Sequence, residues 1–195
     1  MIRCGVRPLL CAAAAALVQG AALAQAPGAG LLVAKPQLVD PNFQETVVLV
    51  AGTPDGAAVG VIINRPTRQA LADILPGNPA LARFTEPLFF GGPVAVGGLF
   101  AVFRAAEPAG AAVRVAEDLW IALDPATIER LMRTPPAEIR FFIGYSGWAP
   151  GQLQAELARG AWWTLPVDAK LAFRPDPSSL WEELANRARA VTASR

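Results

Sequence analysis

No histidine occurs in the 195 residues, and the two cysteines, Cys4 and Cys11, both fall within the first dozen positions. A Ser-His-Asp triad, a Cys-His pair and the usual zinc sites are therefore excluded, because each needs an imidazole or a thiolate. Charge is sparse as well. Charged residues make up 17% of the chain, 17 basic against 16 acidic. Nucleic-acid binding draws much of its affinity from a basic face, and no basic run supplies one, so no nucleic-acid partner is expected. Beyond the first 26 residues there is no apolar run of spanning length, so no stable membrane span is expected either. No metal or other cofactor is expected.

The first 26 residues are strongly apolar and raise the hydrophobic fraction of the whole chain. Arg3 and Arg7 form a basic start, residues 9–18 an apolar centre, and Ala22-Leu23-Ala24 a small-residue cleavage site before Gln25. That order is the pattern of a secretory signal peptide, expected over residues 1–24, with the mature protein periplasmic or secreted. A mis-assigned start codon is the alternative and would leave the protein cytoplasmic. Neither cysteine directly follows a cleavage-like triplet, so no lipid anchor is expected. Removing Arg3 and Arg7 leaves 15 basic residues against 16 acidic ones. Residues 25–195 then suit one domain with its core at about 30–175, since the length is too short for two domains of ordinary size.

Apolar runs of strand length recur through that domain at 31–34, 46–50, 59–63, 88–90, 99–103, 113–115, 119–123, 139–143 and 161–165. Several are apolar on both faces, which marks strands covered on both sides. Thr53-Pro54-Asp55-Gly56 reads as the turn of a hairpin, and Asp40-Pro41-Asn42-Phe43 as a turn capped by Asp40. Pro66 is expected to end the strand before it. Short helical pieces are expected at 69–75 and 79–84. A further helix starts at Asp124-Pro125 and stops before Pro135-Pro136, and a tail helix covers 176–190. Trp162 and Trp163 alternate on a strand, so one is expected buried and the other partly exposed. The expected fold is α+β: a single compact domain with a mixed, largely antiparallel β-sheet, barrel-like in one form, flanked by short helices.

The stretch that organises the chain is 139–157. An apolar strand runs into Gly144, Gly147 and Gly151, read as a glycine-rich reversal, and Pro150 opens a helix expected over 150–159. Within it, Gly144-Tyr145-Ser146-Gly147 partly mimics a nucleophile elbow, but Trp148 stands where the last glycine belongs and no base exists. Ser146 is rejected as a nucleophile. Gly28-Ala29-Gly30 is not a dinucleotide loop, because it precedes a strand and lacks the third glycine.

Four separated segments, GLLVAKPQLVDPNFQETVVLV, GVIINRP, FFGGPV and GYSGWAPGQLQAEL, resemble in sequence and order the YqgE/AlgH family, also called UPF0301 or DUF179. The resemblance spans roughly residues 30–165. It implies a single mixed α/β domain in a group described as uncharacterised, part of which carries a transcriptional-regulator label. It implies no catalytic residues.

Three strand exits carry the candidate ligand-binding residues: Asn64 and Arg65, the Gly91-Gly92-Pro93 loop, and the 144–151 segment with Tyr145, Trp148 and Gln152. Arg65 offers a planar fork to a carboxylate or phosphate, or pairs with a structural acid such as Asp40 or Glu45. Loops leaving strand ends are the usual site of ligands in sheet-based domains, and the three are expected to converge at one sheet edge. Gly147→Val is expected to damage the fold. The expected function is a non-catalytic binding or regulatory module of the bacterial envelope, its partner a protein or small molecule. The alternatives are a hydrolase working through carboxylates such as Asp40, Glu45, Glu86 and Glu156, or a transcriptional regulator.

Overall fold

Strands apolar on both faces require cover on both faces, and the computed structural model, which describes residues 28–108 and 110–193, provides it. Ten strands are present: β1 (Gly30–Ala34), β2 (Val47–Gly52), β3 (Ala58–Ile62), β4 (Pro66–Ala70), β5 (Pro87–Phe90), β6 (Val94–Arg104), β7 (Ala112–Arg114), β8 (Leu119–Ala122), β9 (Ile139–Trp148) and β10 (Trp162–Leu165). Among the described residues, five α-helices accompany them, α1 (Leu71–Ile74), α2 (Pro125–Arg133), α3 (Gln152–Ala158), α4 (Ala169–Ala172) and α5 (Leu180–Ala193), and the piece expected at 79–84 is a 3-10 helix, Pro79–Arg83. The sheet runs β10-β1-β2-β3-β9-β6-β8-β7 and curls into a half-barrel, with β4 and β5 attached beside β9. Every pairing is antiparallel except that of β5 with β9. The result is a single compact α+β domain.

Strand β9 joins the two halves. Its first half lies between β6 and the parallel β5, with Phe142 opposite both Phe100 and Phe89. Its second half leaves β5 and pairs with β3, Ser146 opposite Gly60 and Trp148 opposite Ala58. The change of partner falls at Gly144, whose φ of 69° is a conformation that side chains with a Cβ rarely adopt. A Cβ on Gly144 would run into the Gly92 carbonyl, and one on Gly91 into the Gly144 carbonyl, so the two backbones cross closer than any side chain permits.

One core fills the inner face of the curl: Leu31, Val33, Leu49, Phe89, Phe100 and Phe142 meet Leu180 and Leu184 of α5. A second lies outside β6, β8 and the start of β9, where Phe103 and Phe141 meet Ile128 and Leu131 of α2. A third lies outside β1 to β3, where Val48 and Ile62 meet Trp148, Trp162 and Leu153 of α3. Fully burying one such side chain is worth about 1.5–3 kcal/mol, so the three cores together hold the sheet in its curl.

Local signals explain most of the elements. The Asp124 carboxylate accepts from the Thr127 amide at 2.9 Å, capping α2 as its Asp-Pro start implies. Trp162 is buried and Trp163 half-buried, as alternation requires. Three expectations fail. The stretch 144–148 is not a reversal but the second half of β9, because the freedom of Gly144 bends a strand instead of ending it. The chain turns only at residues 149–151, and α3 starts at Gln152. Pro66 opens β4 on an edge where its missing N–H is tolerated, so the expected helix 69–75 shrinks to α1. Short α4 was not foreseen. The leader, residues 1–24, lies outside the described residues.

Candidate functional site

The three strand exits meet through their backbones. The Phe90 amide donates to the Arg65 carbonyl at 2.9 Å, the Gly91 amide to the Ile143 carbonyl at 2.9 Å, and the Ile62 amide to the Gly91 carbonyl at 2.9 Å. A Cβ on Gly92, at φ 147°, would strike Tyr145 backbone and the Ser146 hydroxyl. Glycine there follows from close approach.

The side chains divide into two groups. Asn64 accepts from the Val47 amide at 2.8 Å and donates to the Glu45 carbonyl at 2.9 Å. Arg65 donates to the carbonyls of Asn42 and Gln44 at 2.6 and 2.7 Å, so its fork braces the turn before β2 through main-chain oxygens instead of pairing with Asp40 or Glu45. Burial pulls its pKa below the ordinary arginine value. The register places Arg65 beyond the Ile62 end of β3, whereas Trp148 faces Ala58 at the other end. Gln152 accepts from the Ala149 amide at 3.1 Å and donates to Glu156 at 3.0 Å, which ties the first turn of α3 to the turn before it. Trp148 is buried, edge-on to Trp162 and stacked on Phe43, and both indole N–H groups donate to one oxygen of Glu156, at 3.0 and 2.9 Å.

Tyr145 and Trp148 belong to a different surface. Together with Thr53, Val59, Val94 and Leu123 they line an open concavity of about 460 Å3 at the mouth of the half-barrel. Tyr145 meets Phe100 edge-on at 5.1 Å, which fixes its ring. Beside this concavity β6 bulges: Val94 lies opposite Tyr145 and Leu99 opposite Ile143, so the residues between them are extruded. Ala95 takes a φ of 49°, and Val96 is 55% exposed at the tip. On the rim, the hydrogen bond from Thr53 holds the Asp55 carboxyl below its ordinary pKa.

The acids near the motifs have separate partners. Asp40 accepts from the Asn42 amide at 2.9 Å, Glu156 holds the two indoles, and Glu86 pairs with Arg140 at 3.0 Å. Arg140, on β9, is buried, its side chain 1% exposed, and it was missed as a site residue. The signal was available: it is the lone charge inside the apolar run Ile139–Trp148. Its remaining nitrogens donate to the carbonyls of Ala172 and Arg174 at 2.9 and 3.1 Å, and its guanidinium lies 4.3 Å from the Phe89 ring centre.

The chain as a whole has relatives. The family model described as AlgH-like, DUF179, matches residues 31–192. The chain belongs to the AlgH-like family. Similar relatives include a UPF0301 protein of Streptomyces avermitilis, 38% identical, with 82% of this chain and 85% of that one covered. Another from Streptomyces coelicolor is 37% identical, with 84% and 87% covered. The solution structure of the AlgH protein from Pseudomonas aeruginosa superposes with a TM-score of 0.66 at 28% identity, covering 80% of this chain and 86% of that one. The match thus extends from β1 through nearly all of α5. Among the described residues of this AlgH-like domain, no helix is long and apolar enough to cross a membrane.

Proposed function

We propose that this AlgH-like chain is a non-catalytic binding module of the bacterial envelope, and that its binding surface is the mouth of the half-barrel around Tyr145 and Trp148. One observation carries the reading: an open, mostly apolar concavity stands beside exposed Val94 and Val96 on a backbone locked by close glycine contacts. A preformed apolar surface binds with little ordering cost, which is what a module without catalytic side chains can offer a protein or small-molecule partner. Gly91 and Gly92 shape the joint behind it. Asn64, Arg65 and Gln152 contribute through the turns they brace. The envelope location rests on the leader pattern of residues 1–24. No specific observation favours a carboxylate hydrolase or a DNA-binding regulator: Asp40, Glu86 and Glu156 each serve a separate structural partner.

A photo-crosslinking residue at Val96 in the native cell tests the surface, with exposed Val39 as control. The expected result is a defined adduct from position 96 that is lost with Tyr145→Ala and absent from position 39. Equal products from both positions, or an adduct indifferent to Tyr145, would sink the assignment. N-terminal sequencing of the native protein tests the location: the expected first residue is Gln25, and a product retaining the leader or starting near Gly30 would return the protein to the cytoplasm.

A further inference from the structure

A second recess, apart from the half-barrel mouth, opens where parallel β5 and β9 begin. It has a volume of about 310 Å3, at the lower end of the range for small-molecule sites. Its walls come from the segment 83–88 on one side and 135–141 on the other, stiffened by Pro87, Pro135 and Pro136. Phe84 and Phe141 meet edge-on at 5.1 Å and supply an apolar wall. Rigid walls of this kind keep their shape without a ligand.

The charges of the recess do not balance. Its lining contains two guanidinium groups, Arg83 and Arg140, and one carboxylate, Glu86. Arg83 donates to the main-chain carbonyls of Met132 and Arg133 at the end of α2, so its bonds bring it no neutralising carboxylate. Arg140 is 1% exposed, yet Glu86, its one carboxylate partner among the described residues, is 53% exposed. A buried cation demands a close anion, whereas a half-exposed carboxylate leaves water-facing surface and can swing out at small cost. Glu86 therefore holds a replaceable position against a fixed, buried guanidinium.

We propose that this recess binds a small organic monocarboxylate with an apolar body, its carboxylate taking the place of Glu86 on Arg140 and its body lying against Phe84, Leu88 and Phe141. One carboxylate thus replaces another on Arg140, and Arg83 adds a second positive charge to the same lining. The Arg140 Nε, which donates to Glu86, can give the same charge-assisted hydrogen bond to a ligand carboxylate, and the apolar wall favours a hydrocarbon or aromatic body over a bare inorganic anion. Glu86 is the internal competitor, which sets a moderate affinity in the native chain.

Benzoate and its neutral isostere benzamide, titrated separately into the full chain, test this. Benzoate is expected to move the amide signals of residues 83–88 and 135–141 and to raise Tm, while benzamide does neither. Removing the competitor with Glu86→Gln is expected to tighten benzoate binding about tenfold or more, the equivalent of one hydrogen bond to a charged group. Should Glu86→Gln fold poorly alone, benzoate but not benzamide is expected to restore it, since the anion again pairs Arg140. Arg83→Gln is expected to weaken benzoate binding. Equal responses to benzoate and benzamide, signals that move elsewhere, or a Glu86→Gln chain that binds benzoate no better than the native one and is not restored by it, would each overturn the proposal.

Discussion

The Ser146 hydroxyl donates to the Gly91 carbonyl across 3.0 Å, inside the joint where β9 passes from one half of the sheet to the other. The serine is fully buried, so it is a fastener between strands and faces no substrate. Because the Gly91 oxygen also accepts from the Ile62 amide, Ser146→Ala leaves no carbonyl without a partner. The expected loss in urea unfolding is about 1 kcal/mol, the net worth of one ordinary hydrogen bond. Intact-mass analysis after a serine-directed reagent is expected to show no adduct on Ser146.

Gly144 and Gly151 both have positive φ, 69° and 79°, but only Gly144 is hemmed in, by Gly92 carbonyl and Val94 carbonyl. Gly151→Ala meets nothing within 4 Å and is expected to cost about 1–2 kcal/mol from backbone strain alone. Gly144→Ala adds a backbone collision and is expected to exceed that by several kcal/mol or to prevent folding. Gly147, where valine is expected to damage the fold, is exposed on β9, and a single Cβ there meets chiefly the Tyr145 ring. Thermal unfolding of the three alanine variants should rank them Gly144 far below Gly151, with Gly147 least affected.

Much of this was legible in the residues. Apolar runs mark strands wherever the sheet lies between two layers, and the Asp-Pro start of α2 states its own cap. Gly144 misled because a glycine that bends a strand and one that ends it look alike; only the β3 partner across from Ser146 and Trp148 decides. The role of Arg65 was hidden for a related reason. Its acceptors are backbone carbonyls 21 and 23 residues away, and carbonyls leave no trace in residue identity. Arg140 could have been found, since a charge inside a buried strand demands a partner, but not that the partner is Glu86.

Arg65→Ala follows from its bonds to Asn42 and Gln44. Losing two charge-assisted hydrogen bonds at a half-buried position is expected to lower stability by about 1.5–3 kcal/mol and to loosen the turn at 40–45. Faster amide exchange at Val47, whose neighbour strand the turn positions, would accompany it. Unchanged stability would show that the guanidinium is free for another role.

Glu156→Ala removes the shared acceptor of Trp148 and Trp162. Two buried indole N–H groups would lose their partner, at about 1–3 kcal/mol for each buried donor left unsatisfied. Glu156→Gln keeps an acceptor and is expected to lose less. Tryptophan emission should shift to the red in the alanine variant as α3 lifts from the sheet, and an unshifted spectrum would argue that the cluster is held by packing with Phe43 alone.

The tail helix α5 is tied down by Arg174, which donates to both oxygens of Glu183 at 2.6 and 2.8 Å. The hydrogen bonds from Arg174 and then from Ser179 lower the Glu183 pKa from 4.5 to about 2. A folded-state pKa below the unfolded value means that the unfolded chain binds the proton more readily, so acid favours unfolding. The contribution is therefore fully present above the unfolded value of 4.5 and is lost as the pH falls toward about 2. Asp176 and Asp55 are shifted in the same direction and add to the acid lability of the whole protein. The difference between native chain and Glu183→Gln isolates it: the stability gap is expected to be constant from neutral pH down to about 5 and to narrow below that as Glu183 takes up its proton. The same narrowing should appear in the amide protection of α5, because Leu180 and Leu184 are the side chains this ion pair keeps against the inner core. A gap that stays constant through the acid range would mean that Arg174 does not hold Glu183 in solution, and that α5 is held by its apolar face alone.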